Sequence, residues 1–160
     1  LYEGGIRMPF IVRWPGKVPA GRVDEQTVIA AVDLFPTLAA IAGAPLPGGS
    51  AFDGQDLTAA LRGSAVTRST PLFWEYGRND QSFAFPKDAA ERSPNLAVRE
   101  GKWKLLVNAD GNGAELYDVV GDPREEKEVS SQHPEIAKRL TEQVLAWRKS
   151  LPSPGGESGR

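Results

Sequence analysis

The sequence contains no cysteine, one histidine and one methionine in 160 residues. Without cysteine the chain has no disulfide, no thiolate metal site and no cysteine nucleophile, and a lone imidazole builds no histidine cluster for zinc or non-haem iron. Long apolar runs are also missing: none approaches the ~20 residues that cross a bilayer, and the N-terminus lacks the charged segment and apolar core of a signal peptide. Neither sign of charge dominates. Nineteen Lys plus Arg face twenty-one Asp plus Glu, for a formal net charge of -2, so the basic footprint of a nucleic-acid or membrane-surface binder is missing. Small molecules or other proteins are the expected partners. What is present, 40% hydrophobic and 25% charged residues with 17 Gly and 13 Pro, is the composition of a globular chain of one domain, or of one domain and a fragment.

Leu1-Tyr2 run at once into Glu3-Gly4-Gly5 without an initiator Met, which predicts a start inside a structural unit and a piece of something longer. Ile6 to Trp14 holds the apolar cluster Phe10-Ile11-Val12 between Gly4-Gly5 and Pro15-Gly16, the pattern of a short strand covered on both faces, with Pro9 at its start or on an edge. Its partner strands are not evident nearby. Val28 to Ala42 predicts a helix that starts after Asp33 as N-cap, carries Pro36 in its first turn and stops at Gly43; Leu34, Leu38 and Ile41 would form its packing face. A shorter helix, Leu57 to Arg62, is expected between a cap at Asp56 and a stop at Gly63.

Near Thr67 to Pro71 the composition changes, and a small α+β unit is expected beyond it. Leu72 to Tyr76 reads as an aromatic-rich strand, followed by an unpatterned stretch from Gly77 to Pro94 of the length that loops with a function often have. Leu96 to Arg99 and Lys102 to Val107, joined at Glu100-Gly101, predict a hairpin, with Glu115 to Asp118 as a further strand. Trp103, Leu105 and Val107 alternate with Lys102, Lys104 and Leu106, so one face of this sheet is expected to be buried. Pro134 opens a final helix in which Ile136, Leu140, Val144, Trp147 and Leu151 recur at helical spacing, an apolar stripe suited to covering the sheet. Residues 152–160 read as a flexible tail.

The segment LYEGGIRMPFIVRWPGKVPAG resembles the last strands of the large α/β domain of sulfatases, and VDLFPTLAAIAG resembles the helix that follows. DGQDLTAALRG, NLAVREGKWKLL and ELYDVVGDPREEKEV then resemble, in order, that family's loop and short helix, its C-terminal strand pair and the segment leading to its final helix. The resemblance runs over roughly Leu1 to Leu151. It implies an α/β to α+β chain of the alkaline-phosphatase superfamily. Residues 1–66 would end the large domain, 67–151 would form a small domain with an antiparallel sheet covered by the C-terminal helix, and 152–160 would be the tail.

The chemistry implied by the resemblance is hydrolysis of a sulfate ester by a formylglycine, made from a Cys/Ser-x-Pro-x-Arg motif, beside a calcium ion held by Asp and Asn. None of that carries over to these residues. Ser69-Thr70-Pro71-Leu72-Phe73 has Phe where the motif requires Arg, and the family's sulfate-contacting Lys, counted back from the Glu-Gly-Gly motif, falls before Leu1. The expected cofactors in this segment are therefore none, with calcium and formylglycine in a full-length protein. The expected partners are a missing N-terminal catalytic domain and a sulfate ester, with no nucleic acid and no membrane. The isolated chain is expected to be inactive, and the family resemblance favours the periplasm or secretion while the residues leave the compartment open. Two alternatives stay open: a phosphodiesterase or phosphonate hydrolase of the same superfamily, and a non-catalytic remnant with a binding role.

Candidate site residues fall in two groups. Glu3, Gly4, Gly5 and Arg7 would support the active site structurally, with Glu3 and Arg7 as a buried ion pair and the glycines supplying a positive φ or a close backbone approach. Glu75, Tyr76, Arg78 and Asn79 leave the aromatic strand for the long loop and would line the substrate pocket, Arg78 offering a planar fork to an anion. Each has a plainer alternative, a strand entry for the first group and a solvated loop for the second. His133 reads as a helix N-cap or surface residue. Asp53, Asp56 and the acidic cluster Asp122 to Glu128 lack the alternating oxygen donors of a calcium loop and read as a cap and solvated faces, so no metal ligand is expected. Trp103 and Trp147 read as core in preference to a sugar platform that would include Trp74. Lys87, Lys102 and Lys104 read as a solvent face in preference to a polyanion patch.

Overall fold

A computed structural model describes residues 1–49, 51–77, 88 and 92–152. The chain forms two compact units, Leu1–Met8 with Phe73–Arg160, and Pro9–Leu72. The first eight residues thus group with the C-terminal part, whereas a boundary near Thr67 places them with the large domain. The flexible tail expected over 152–160 lies outside the described residues except for Pro152.

The larger unit is built on a sheet in the order β1 (Leu72–Glu75), β2 (Leu96–Glu100), β3 (Trp103–Val107) and β4 (Glu115–Asp118). The expected hairpin forms: β2 and β3 pair antiparallel with Leu96 opposite Val107 and Glu100 opposite Trp103, and Gly101, at φ 58°, makes the tight reversal that a side chain would resist. β3 and β4 pair antiparallel with Leu105 opposite Leu116. One face carries Leu96, Val98, Leu105, Val107 and Leu116 against Ala137, Leu140 and Val144 of the final helix, Pro134–Ser150. Each fully buried Leu or Val there contributes about 1.5–3 kcal/mol. Phe73 and Trp147 extend this core as a stacked pair with centroids 5.0 Å apart.

The opposite face is not a solvent face, which corrects the one-sided expectation. Ala97, Leu106, Tyr117 and Val119 are buried on it, with Leu1 and Trp74 packed against them. A single-turn helix, Glu3–Ile6, lies in the same unit with Glu3 buried. The expected strand from Ile6 to Trp14 does not form. Ile6 ends that helix, and 7–14 has no regular structure, because none of the described strands pairs with it. Ile11 is 90% exposed.

The unit Pro9–Leu72 holds a nine-residue helix, Leu34–Ala42, preceded by a 3-10 turn at Ala31–Asp33, and a single-turn helix, Thr58–Leu61. Gly43 stops the longer helix in the left-handed conformation, φ 66°, as expected. Asp56 Oδ1 accepts the Thr58 amide at 2.8 Å at the start of the shorter one. Two details of the longer helix differ from the sequence reading. Its buried residues are Pro36 and Thr37, while Leu34, Phe35 and Leu38 are exposed. Asp33 does not cap it with its side chain; the carboxylate instead accepts the amides of Ala30 at 2.8 Å and Gln55 at 2.9 Å and pairs with Arg68. A polar hub therefore organises this unit from within alongside buried Leu57 and Ala60, while many of its large apolar side chains are exposed.

Candidate functional site

The support group centres on Glu3. Its partner is not Arg7, which is exposed, but Lys104 on β3: Lys104 Nζ donates to Glu3 Oε1 at 3.0 Å, and Arg99 Nη1 lies 3.7 Å from Glu3 Oε2. Lys104 is 0% exposed, so its placement on a solvent face is corrected. The alternation that predicted it is real, but the second face of the sheet is covered, and a buried ammonium persists only when carboxylates neutralise it.

The third member is Glu125, from the acidic cluster expected to be solvated. Its Oε1 lies 2.9 Å from Lys104 Nζ, and its Oε2 accepts the Glu3 backbone amide at 2.5 Å. The Oε1 contact is charge against charge without a hydrogen bond, and that atom has no hydrogen-bond partner among the described residues. Glu125 sits at φ 55°, the one positive φ among the described non-glycine residues. A residue other than Gly, Asn or Asp adopts this conformation only where its surroundings impose it. Other carboxylates shape the loop: Asp118 Oδ1, at the end of β4, accepts the Gly121 amide at 3.0 Å, and from the cluster Asp122 Oδ2 accepts the Lys127 amide at 2.8 Å and Glu128 Oε1 the amides of Leu116 at 3.0 Å and Ser130 at 2.6 Å. Glu126 fits the solvated reading, exposed with Arg124 3.7 Å away, and Glu128 is exposed as well.

Beside the triad, Tyr2 and Tyr117 both donate to Glu115 Oε2, at 2.8 and 3.0 Å, with their rings edge to face. Burial and then the Glu115 carboxylate push the Tyr2 hydroxyl up to about 12, and the same causes raise Tyr117. Burial lowers Arg99, against the pull of Glu3. Gly4 and Gly5 have neither a positive φ nor a close neighbour among the described residues: a Cβ on either meets none of them within 4 Å.

In the second group, Glu75 ends β1 and its Oε1 accepts from Arg148 Nε at 2.9 Å, which ties it to the final helix. The Tyr76 amide donates to Asn95 O at 2.8 Å. Arg78, Asn79 and Lys87 lie outside the described residues. The structure thus does not bring the two groups into one described cluster. His133 stands at the N-cap position of the final helix without a side-chain cap bond, its ring 4.7 Å from that of Trp103. Trp103 and Trp147 both pack on the core of the sheet. Among the described residues no group of three or more His, Cys, Asp or Glu could hold a metal. With Phe73 where the Ser69–Phe73 match requires Arg, and no such metal-holding group among the described residues, those residues do not fit calcium or a formylglycine.

Lys104 and Glu125 were missed by sequence reading. The signal that could have found them was weak: a lysine flanked on both sides by core residues in a strand, and one carboxylate among several in a loop.

Comparison with known proteins places this arrangement. The family profile described as N-sulphoglucosamine sulphohydrolase, C-terminal, matches residues 1–150. The chain is 32% identical over 155 residues to an N-acetylgalactosamine-6-O-sulfatase of Bacteroides thetaiotaomicron, covering 88% of this chain and 27% of that protein. It is 36% identical over 122 residues to human arylsulfatase A, covering 76% and 21%. Among solved structures, a protein described under the metabolism of multiple glycosaminoglycans by Bacteroides thetaiotaomicron superposes with TM-score 0.66 at 27% identity, over 92% of this chain and 30% of that one. Ps i-CgsB in complex with k-i-k-neocarrahexaose shares the fold, with TM-score 0.68 at 23% identity over 89% and 29%. The chain therefore spans less than a third of the length of these relatives. Its α/β to α+β build, with a small antiparallel sheet under a C-terminal helix, is that of the end of the sulfatase fold. The chain belongs to the sulfatase family and corresponds to its C-terminal portion.

Proposed function

We propose that this chain is the non-catalytic C-terminal part of a sulfuric ester hydrolase, which packs against a catalytic domain formed by residues before Leu1 and lends one wall to the substrate pocket. The observation that carries the reading is the inverted helix Leu34–Ala42, with Leu38 58% exposed while Asp33 is fully buried. Met8, Phe10, Ile11, Val23 and Phe35 of this chain are exposed as well. Apolar side chains on this scale, in a unit held together by a polar hub, belong to an interior that the rest of the protein completes. In this reading residues 1–66 close the large domain, 67–151 form the small one, and Glu3, Gly4, Gly5 and Arg7 back the active site. Glu75, Tyr76, Arg78 and Asn79 stand at the rim of the pocket. The chemistry of calcium and formylglycine, and the contacts to sulfate, reside in the preceding domain. The relatives are named for different sulfate esters, so the substrate class is a sulfate monoester.

The test is the coding sequence before the codon for Leu1, followed by expression of the whole reading frame. A Cys/Ser-x-Pro-x-Arg motif upstream, and hydrolysis of an aryl sulfate by the whole protein but not by residues 1–160 alone, are the expected results. Hydrolysis of an aryl phosphonate or phosphodiester in its place would transfer the protein to another branch of the superfamily. A start codon near Leu1, with a cooperatively folded monomeric product, would overturn the reading.

A further inference from the structure

Glu3 is held at two points by one buried triad. Its carboxylate takes the Lys104 ammonium at 3.0 Å, and its amide donates to Glu125 at 2.5 Å. Lys104 Nζ also lies 2.9 Å from Glu125 Oε1, with side-chain exposures of 0% and 2%. Glu125 reaches this position from a strained backbone at φ 55°. Three charges buried at such geometry do not outperform an apolar filling of the same volume, because the cost of removing them from water offsets their attraction. They do what an apolar filling does not: a charge pair with fixed hydrogen-bond directions accepts one register of the segment and rejects its neighbours, a use of buried polar groups that is attested in other folds.

We propose that Lys104 and Glu125 are positioning residues of the complete enzyme, which act through Glu3 to hold the Glu3–Arg7 segment in one register on the sheet and so set the geometry of the active site that this segment backs. The inference rests on the reading under Proposed function. Neither residue touches substrate. The neighbouring features agree with a segment whose place is set by directional contacts: Arg7 N donates to Glu3 O at 2.8 Å within the same turn, and Arg99 adds a second cation to the Glu3 carboxylate.

The experiment uses the whole protein. Lys104→Met alone strands two buried carboxylates and can unfold, so the deciding variant is the triple Glu3→Met, Lys104→Met, Glu125→Met, which removes every charge of the triad, while Arg99, its side chain 18% exposed, keeps contact with water. Thermal unfolding, amide exchange at Gly5 to Arg7, and kcat and KM on an aryl sulfate are measured together. The expected result is a triple variant that melts near the wild type and keeps its protection in β3 and the final helix. Its exchange at Gly5 to Arg7 rises about tenfold or more, and kcat falls about tenfold or more with KM changed less, the signature of misplaced catalytic geometry. A triple variant with wild-type exchange and wild-type kcat overturns the proposal and leaves the triad a matter of folding. A wild-type protein that hydrolyses no sulfate ester overturns the functional reading and, with it, the catalytic part of this inference. The exchange comparison then decides separately whether the triad fixes the segment.

Discussion

Arg68 Nη1 lies 2.5 Å from Asp33 Oδ2, with side chains 7% and 1% exposed, and this pair closes the polar hub of the unit Pro9–Leu72. Arg68 Nε also donates to Thr70 O at 2.9 Å, whereas Nη2 is buried without a hydrogen-bond partner among the described residues. Asp33 holds two backbone amides as well, so the carboxylate joins the turn at Ala30 to the loop at Gln55.

Arg68→Met should destabilise this unit by about 3–5 kcal/mol, because it leaves a buried carboxylate without its cation. Urea unfolding followed through amide exchange in the helix Leu34–Ala42 measures it. A loss below about 1 kcal/mol would show that water reaches the pair, as at exposed ion pairs.

Lys102 and Lys104 sit two residues apart and differ in consequence. Lys102 is half exposed and pairs with Asp118 at 2.7 Å, so Lys102→Met should change stability by no more than about 1 kcal/mol. Lys104→Met should cost about 3–5 kcal/mol, since two carboxylates stay buried. Equal effects on the denaturation midpoint would contradict the burial of the triad.

Two glycines invite opposite outcomes. A Cβ at Gly54 would stand 1.9 Å from the Val32 carbonyl oxygen, so Gly54→Ala must displace backbone and should cost at least about 2 kcal/mol. At Gly5 a Cβ meets none of the described residues, and the residue is helical, so in residues 1–160 the change Gly5→Ala should be neutral or stabilising by up to about 1 kcal/mol. In the whole protein the same Gly5→Ala should lower activity if the preceding domain approaches the backbone there. Thermal melts of both chains, with kcat of the whole protein, separate the two roles.

Tyr2 and Tyr117 share one carboxylate, and the pH dependence follows from the sign of their shifts. The Tyr2 hydroxyl is raised from 10.0 to about 12, first by burial and then by Glu115. Between those values the unfolded chain ionises and the folded one does not, so the unfolded state binds fewer protons and stability falls as pH rises from 10 towards 12. Ultraviolet titration near the phenolate band should show Tyr2 and Tyr117 ionising late, and Glu115→Gln should bring both down. Unchanged titration in that variant would refute the shared hydrogen bonds.

Local pattern carried much of the small unit. The hairpin Leu96–Val107 follows from two β-rich runs around Glu100-Gly101, and the final helix from its apolar spacing after Pro134, because both are decided by neighbours in sequence. The same logic misplaced Ile6 to Trp14 and the apolar face of Leu34–Ala42. A strand needs a partner for its amides and an apolar stripe needs a covering surface, and neither is encoded within the run itself. The candidate residues divided in the same way: Glu3 was visible through its motif, whereas its partners were not.

The sequence by itself determined the family, turn residues such as Gly43 and Gly101, and which side chains are apolar, since these are properties of residues and their near neighbours. Tertiary structure alone decided which charges are buried. Lys104 and Glu125 read as surface residues until Glu3, 101 positions from Lys104 and 122 from Glu125, comes to lie against both. The energy of a charge depends on what replaces its water, and that replacement comes from residues remote in the chain.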